Sequence, residues 1–322
     1  MAKGMSKRKK QKLIKGVLTV IAIIALMIIW LLKPSNGGNR GNYDVSEGSA
    51  EFHFIDVGQG DATLIIVDGK NVLIDTGDKE ARDALTDYLD SHGVDEIEYF
   101  VITHFDEDHY GVASHVLKNY DVKNVIMPNQ VKEGTTYEAF IETLGEQQAD
   151  KGVNVMNASE YIGKTISVGG REAVRDENGN EIEKARNGVK FKILAPLGEE
   201  YEDSNDYSIV MMAQFGNKKV LLTGDAEKKS EAEIVKAYDM IALDCDILKV
   251  GHHGSITSTT NELLTKAQPE IAVISCGKDN EYGHPHPEVV ARLEKIDGIE
   301  IYITAEHGSV VFTIADDTII KK

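Results

Sequence analysis

The chain has 322 residues, 42% of them apolar, with a formal net charge of −18 and two cysteines. That is enough for a substantial folded core, and two thiols rule out a disulfide framework. Residues 1–40 hold nine Lys or Arg and no acid, so the remainder carries −27, a surface that repels polyanions and weighs against a dedicated DNA-binding module.

Residues 1–12 form a basic tail. From Val17 to Leu32 every residue is apolar or Thr. Extending back to Leu13 gives the about 20 residues that a bilayer requires, with Lys15 able to snorkel. The basic flank predicts a cytoplasmic N-terminus, a single-pass anchor over 13–32 in the cell membrane, and an extracellular remainder. No Ala-x-Ala pattern follows Leu32, so an uncleaved anchor is expected rather than a signal peptide. Residues 33–50, rich in Gly, Asn and Ser, read as a flexible linker, leaving 51–322 as one domain.

In that domain strands are expected over 52–57, 63–67 and 71–74, the last two joined at Asp68-Gly69. A helix over 81–89, a strand over 98–102, a helix over 111–119 and a strand over 122–127 follow. The next helix, 137–148, places Phe140, Ile141 and Leu144 on one face. Residues 158–195 read as β ribbons with a polar tip at 176–181. A hairpin over 206–215 and 218–223 turns at Gly216-Asn217, and a helix follows over 227–238. After a strand over 246–250, Thr259 to Glu262 has the spacing of a capping box. A strand over 270–275, a helix over 287–295 and strands over 299–303 and 309–314 close the chain. The two halves share this trend, which predicts an α/β fold of two mixed sheets facing each other with helices outside. Cys245 and Cys276 end apolar runs and read as buried free thiols, a single bridge being the alternative.

Thr103 to Gly111 carries the strongest chemical signal. His104, Asp106, Asp108 and His109 fall within six residues at the end of an apolar strand. Burying four such groups unpaired would be costly, whereas a divalent metal needs close oxygen and nitrogen donors. Three more clusters end strands: Asp56 to Asp61, Gly224-Asp225 and His252-His253. His284 and His286 lie in a loop between prolines. His92 and His115 read as ordinary helix residues, His53 as a strand residue and His307 as a turn residue.

Together these motifs resemble the metallo-β-lactamase superfamily, and within it the hydrolase domain of the ComEC competence family and its stand-alone relatives. The likeness rests on Phe54-Ile55-Asp56-Val57-Gly58-Gln59-Gly60-Asp61-Ala62, Leu73-Ile74-Asp75-Thr76-Gly77, Asn205-Asp206-Tyr207-Ser208, Leu221-Leu222-Thr223-Gly224-Asp225, Lys249-Val250-Gly251-His252-His253-Gly254-Ser255 and Asn280 to Pro287. It implies a four-layer αβ/βα sandwich holding one or two divalent ions, Zn or Mn. It implies that His104 and Asp106 serve a first metal, that Asp108 and His109 serve a second, and that Asp225 bridges them. His252, in preference to His253, would be the final ligand, and Asp75 the buried acid that orients the loop.

Two departures from that pattern matter. Asp106 stands where the superfamily more often has His, and no histidine occurs between His115 and His252. Asn205 and Ser208 occupy the place of the missing ligand, with Asp206 the strong donor nearby. The first site is therefore expected to be oxygen-rich, weaker than the second and suited to Mn²⁺. Asp56, Gln59 and Asp61 either line the same pocket or form a required turn.

The implied reaction is hydrolysis of a phosphodiester, in DNA or a cell-wall phosphoester, by a metal-bound hydroxide that Asp108 orients. His284 and His286 are candidates for binding the scissile group or protonating the leaving oxygen. β-Lactam or other acyl hydrolysis is a competing reading, weakened by the absent third histidine. A non-catalytic scaffold on the same fold is another, weakened by intact Asp108, His109, Asp225 and His252. The expected partners are the membrane, through residues 13–32, and the phosphoester; the sequence points to no protein partner.

Overall fold

The computed structural model describes residues 48–175 and 181–322. The basic tail, the anchor over 13–32, nearly all of the linker and the ribbon tip at 176–180 lie outside the described residues. Among the described residues, no helix is long and apolar enough to cross a membrane.

Strands β1 (Ser49–Phe54), β2 (Thr63–Val67), β3 (Lys70–Ile74), β4 (Glu96–Val101), β5 (Asp121–Met127) and β6 (Asn154–Asn157) come first. The ribbon β7 (Thr165–Arg175) and β8 (Glu181–Ala195) follows, then β9 (Val210–Phe215), β10 (Lys218–Leu222), β11 (Ile247–Lys249), β12 (Ile271–Ile274), β13 (Glu300–Ile303), β14 (Val310–Ala315) and β15 (Thr318–Lys321). One eight-stranded sheet runs β15-β14-β1-β2-β3-β4-β5-β6, and one seven-stranded sheet runs β13-β12-β11-β10-β9-β8-β7. The pairs from β3 to β6 and from β10 to β13 are parallel. The crossovers supply helices α1 (Arg82–Ser91), α2 (Glu107–Tyr110), α3 (Ala113–Asn119) and α4 (Thr135–Lys151) on the first sheet. The second receives α5 (Lys228–Ala237), α6 (Met240–Leu243) and α7 (Asn261–Ala267), with α8 (Pro287–Leu293) and the short α9 (Thr304–His307) after β12 and β13.

Side-chain alternation along the strands sets the layers. On β2, Ile65 and Val67 join Phe52, Phe54 and Val72 in a core between the sheets, while Leu64 and Ile66 join Leu85 and Leu89 under the helices. On the other sheet, Val220, Ile247 and Val273 face the middle, while Leu221, Leu248 and Ala272 face Leu263, Leu264 and Val289. Three apolar layers therefore separate four layers of secondary structure, helix–sheet–sheet–helix, as the sequence resemblance implied. Each large side chain so buried stabilises the fold by about 1.5–3 kcal/mol.

Several boundaries differ from expectation. The first strand ends at Phe54, because Ile55 to Gly60 turns toward the site. The helix expected over 111–119 begins at Ala113, and a separate short helix, Glu107–Tyr110, precedes it and carries His109. Residues Asn205–Tyr207 form a 3-10 turn, so that hairpin begins at Val210. The capping box does not form: Thr260 is the N-cap, accepting from the Leu263 amide, and buried Glu231 takes the Thr259 and Thr260 amides. The two halves are not parallel in topology either. The terminal hairpin β14–β15 returns to the first sheet, where Phe312 pairs with Phe52 across β1. Cys245 and Cys276 are buried free thiols.

Candidate metal centre

The centre lies where strands of both sheets end. Asp75, just after β3, sits in the left-handed region at φ 58° and aims its carboxylate into the loop after β4. Thr103 donates to it twice, from N to Oδ1 at 2.8 Å and from Oγ1 to Oδ2 at 2.6 Å. His109 Nδ1 lies 2.8 Å from Oδ2. An ionised Asp75 can only accept, so the His109 proton sits on Nδ1 and Nε2 is turned inward. Burial pushes the Asp75 carboxyl above its ordinary range, against the opposing pull of His109 and Thr103.

The second sheet supplies the opposite wall. Asp225 follows β10, and His252 and His253 follow β11, both histidines left-handed at φ 48° and 52°. Such conformations cost about 1–3 kcal/mol each and persist where the surroundings enforce them. The twist separates the two rings. His253 is buried, its Nδ1 donates to the Ser275 carbonyl at 2.9 Å, and its Nε2 lies 3.1 Å from Asp108 Oδ2 and 3.4 Å from Asp225 Oδ2. His252 is partly exposed; its Nδ1 lies 3.0 Å from Glu227 Oε1, and its Nε2 is 3.8 Å from Asp225. The preference for His252 as the final ligand is thus reversed by geometry: the ring at the cluster is that of His253.

Donor atoms converge in two overlapping groups, His104–His109–Asp225 and Asp108–His109–His253, each within 4.8 Å. His104 Nε2, His109 Nε2 and Asp225 Oδ1 are buried without a hydrogen-bond partner, although the last two are only 3.2 Å apart. Orphaned buried lone pairs facing one another are expensive unless a cation lies between them. The donor set therefore fits a divalent ion, which His104, His109 and Asp225, or Asp108, His109 and His253, would hold. Within the cluster the imidazoles and carboxylates offset one another's charge. Burial alone would depress His109 and His253, yet the carboxylates hold His109 well above its ordinary value and His253 near about 10. Asp225 and Asp108 resist burial and stay well below the usual carboxylate range because those imidazoles face them. At His104 the pull of Asp225, Asp106 and Asp108 is outweighed; burial and His109 push it down to about 4.

Asp106 is not in either group. Its Oδ1 accepts from Lys132 Nζ and, at 2.7 Å, from Ser204 Oγ, while Oδ2 stands 3.7 Å from His104 Nε2. Asn205 and Ser208 split in role. Ser208 Oγ accepts the Asp225 amide at 3.0 Å and lies 3.4 Å from His104 Nδ1, whereas buried Asn205 Oδ1 is unpartnered. Asp206 turns away from the centre to accept the Ser230 amide in the first turn of α5, so it offers no donor there.

The loop of His284 and His286 sits over the histidine side. The His284 ring stacks on His253 at 6.1 Å and on Tyr282 at 5.6 Å, and its Nδ1 is buried without a partner. Burial and the facing His253, His252 and His286 hold it neutral, down to about 4. His286 instead accepts the Ile256 amide at Nδ1, fixing the loop. A cleft of about 850 Å³ reaches Asp108, its walls including Asp56, Gln59, Glu80, Lys278 and Tyr282. Asp56 is exposed and closes its own turn through Gly58 N, while Gln59 Oε1 accepts from Gly277 N. Asp61 faces inward to Lys249 and not into the cleft. Lys132, Ser204, Gln130 and Glu227 were not singled out by sequence: Lys132 and Gln130 lie outside every motif, while Ser204 and Glu227 flank Asn205 and Asp225 and show their partners only in the fold.

These features define a metal-dependent hydrolase built between two sheets. A model of the metallo-beta-lactamase superfamily matches residues 55–278, so the chain belongs to that superfamily. It is 28% identical over 288 residues to ComE operon protein 3 of Bacillus subtilis, covering 84% of this chain and 34% of that one. It is 33% identical over 246 residues to Recombination protein 2 of Haemophilus influenzae, covering 75% of this chain and 26% of that one. The chain thus spans about a third or less of these relatives' lengths. In fold it is similar to CmlA, a diiron beta-hydroxylase from Streptomyces venezuelae, with TM-score 0.50 and 13% identity, covering 86% of this chain and 54% of that one.

Proposed function

We propose that the chain is a metal-dependent phosphodiesterase whose domain is tethered outside the membrane by residues 13–32. The observation that carries the reaction class is the convergence of Asp108, His109 and His253, with Asp225 against both imidazoles, beside a cleft that opens at Asp108. The carboxylates suit an ion that grips phosphoryl oxygens. The tether rests on the apolar run to Leu32 and its basic flank.

A bound divalent ion supplies a more acidic water and a sink for charge on the phosphoryl group. Asp108, at the cleft, would help to hold the ion and orient a water toward the substrate. Asp75 keeps His109 in one tautomer and orientation. His284, held neutral over the His253 ring, is the candidate for binding the phosphoryl group from the loop above. The names of the relatives favour DNA as substrate. The acids Asp56, Asp78, Glu80 and Glu281 in the cleft favour a smaller or partly cationic phosphoester, such as one from the cell wall.

The test offers the full chain, with Mn²⁺ or Zn²⁺, bis-p-nitrophenyl phosphate, single-stranded DNA and nitrocefin. Turnover of a phosphodiester that Asp108→Ala abolishes supports the reading. Turnover of nitrocefin alone, or an Asp108→Ala protein as fast as wild type, overturns it.

A further inference from the structure

The family pattern places Asp106 at a metal, yet its carboxylate is already occupied. Lys132 Nζ and Ser204 Oγ both donate to Oδ1. The arrangement is braced from behind: Gln130 Nε2 donates to Ser204 Oγ at 2.8 Å, and Gln130 Oε1 accepts the amide of Phe105, the residue beside Asp106, at 3.0 Å. Gln130 is buried, while the Lys132 side chain is 35% exposed. Only Oδ2 of Asp106 is left toward His104.

Resting on the reading of this centre as a metal site, we propose that Lys132 is a built-in cation for the His104–Asp106 pole and limits the centre to one tightly held divalent ion. Three carboxylates, Asp106, Asp108 and Asp225, line the centre. One dication at Asp108, His109 and His253, with Asp225 against both imidazoles, serves two of them, and the ammonium serves the third. A second dication at Asp106 would meet the ammonium at close range and would have to displace it from an oxygen it shares with Ser204. Like charges repel strongly at such separations in a partly buried site. The other lysines nearby are committed elsewhere. Lys249 is paired with Asp61, and Lys278 lines the outer cleft. Lys132 is thus a positioning residue, acting on metal occupancy through Asp106.

The experiment compares the full chain as wild type, Lys132→Met, Lys132→Arg and Asp106→Asn. Each is loaded with excess Mn²⁺ and, separately, Zn²⁺, desalted, and its metal counted by mass spectrometry, with a thermal melt to show folding. One ion per chain is expected in wild type and Lys132→Arg, and two in Lys132→Met, or a second site at least tenfold tighter by calorimetry. Asp106→Asn should keep its one ion, which provides a reading even if Lys132→Met fails to fold. Equal stoichiometry in wild type and a folded Lys132→Met, or loss of the tight ion in Asp106→Asn, overturns the proposal. No metal in any of the four overturns the metal-centre reading itself, and this inference with it.

Discussion

Lys249 Nζ lies 2.6 Å from Asp61 Oδ2, and both side chains are almost fully buried. Lys249 ends β11 of one sheet; Asp61 belongs to the turn after β1 of the other. The Asp61 amide donates to the Asp108 carbonyl at 3.1 Å, and its carbonyl accepts the Gly77 amide at 2.8 Å. The ion pair therefore links the two sheets directly behind the metal loop. Gly60, next in the turn, approaches so closely that a Cβ there would stand 2.5 Å from the Asp108 carbonyl oxygen.

Removing one partner of that pair strands the other charge in the interior. Lys249→Met should lower the free energy of unfolding by about 3–5 kcal/mol, measured by denaturant titration. The double variant Lys249→Met/Asp61→Leu should recover much of that loss. A single variant within about 0.5 kcal/mol of wild type would show the pair to be idle.

The two adjacent histidines should separate cleanly. His253→Ala removes a donor atom from the cluster and should weaken divalent-ion binding beyond the about 10–100-fold that loss of an outer partner costs. His252→Ala, whose ring is held by Glu227, should stay within that range. Calorimetric titration with Zn²⁺ or Mn²⁺ reads both, and the reverse ranking would restore His252 as the ligand.

Asp75→Asn keeps an oxygen for Thr103 but presents an amide toward His109 Nδ1, which would turn the imidazole or change its tautomer. Ion affinity should drop about 10–100-fold in a chelator competition, with the fold retained by circular dichroism. Unchanged affinity would mean that Asp75 serves only the loop backbone.

His53, on β1, reports on pH away from the centre. Burial is the main cause that lowers its value below the ordinary 6.5, with Glu51 opposing. The unfolded chain therefore binds a proton there at higher pH than the folded one. Its contribution to stability rises with pH between the lowered folded value and 6.5, and is lost as pH falls through that window. In melts from pH 7.5 down to 5, His53→Gln should show a shallower loss than wild type. Identical slopes would exclude this group as a source.

Much of the centre was legible in local sequence, for a physical reason. His104, Asp106, Asp108 and His109 crowd one strand end, and no apolar core accommodates such a run unpaired. The Asp68-Gly69 hairpin and the apolar runs of β2 to β5 follow from turn chemistry and side-chain period, which are local properties. The β6 and β15 edge strands, the short helix that carries His109 and the return of β14 to the first sheet were not legible. Each depends on which distant strand offers an open edge.

The sequence by itself determined the residue types, their place at strand ends and the need for a cation, because those follow from composition and short-range spacing. Only the tertiary structure decided which atoms meet. Left-handed backbone at both His252 and His253 sends one ring to the cluster and the other to Glu227. A loop residue from beyond β5, Lys132, reaches Asp106, 26 positions away in the chain. Asp206, adjacent in sequence to the site residue Asn205, turns to α5 instead. Direction and reach of side chains are set by packing between the sheets, and no local pattern encodes them.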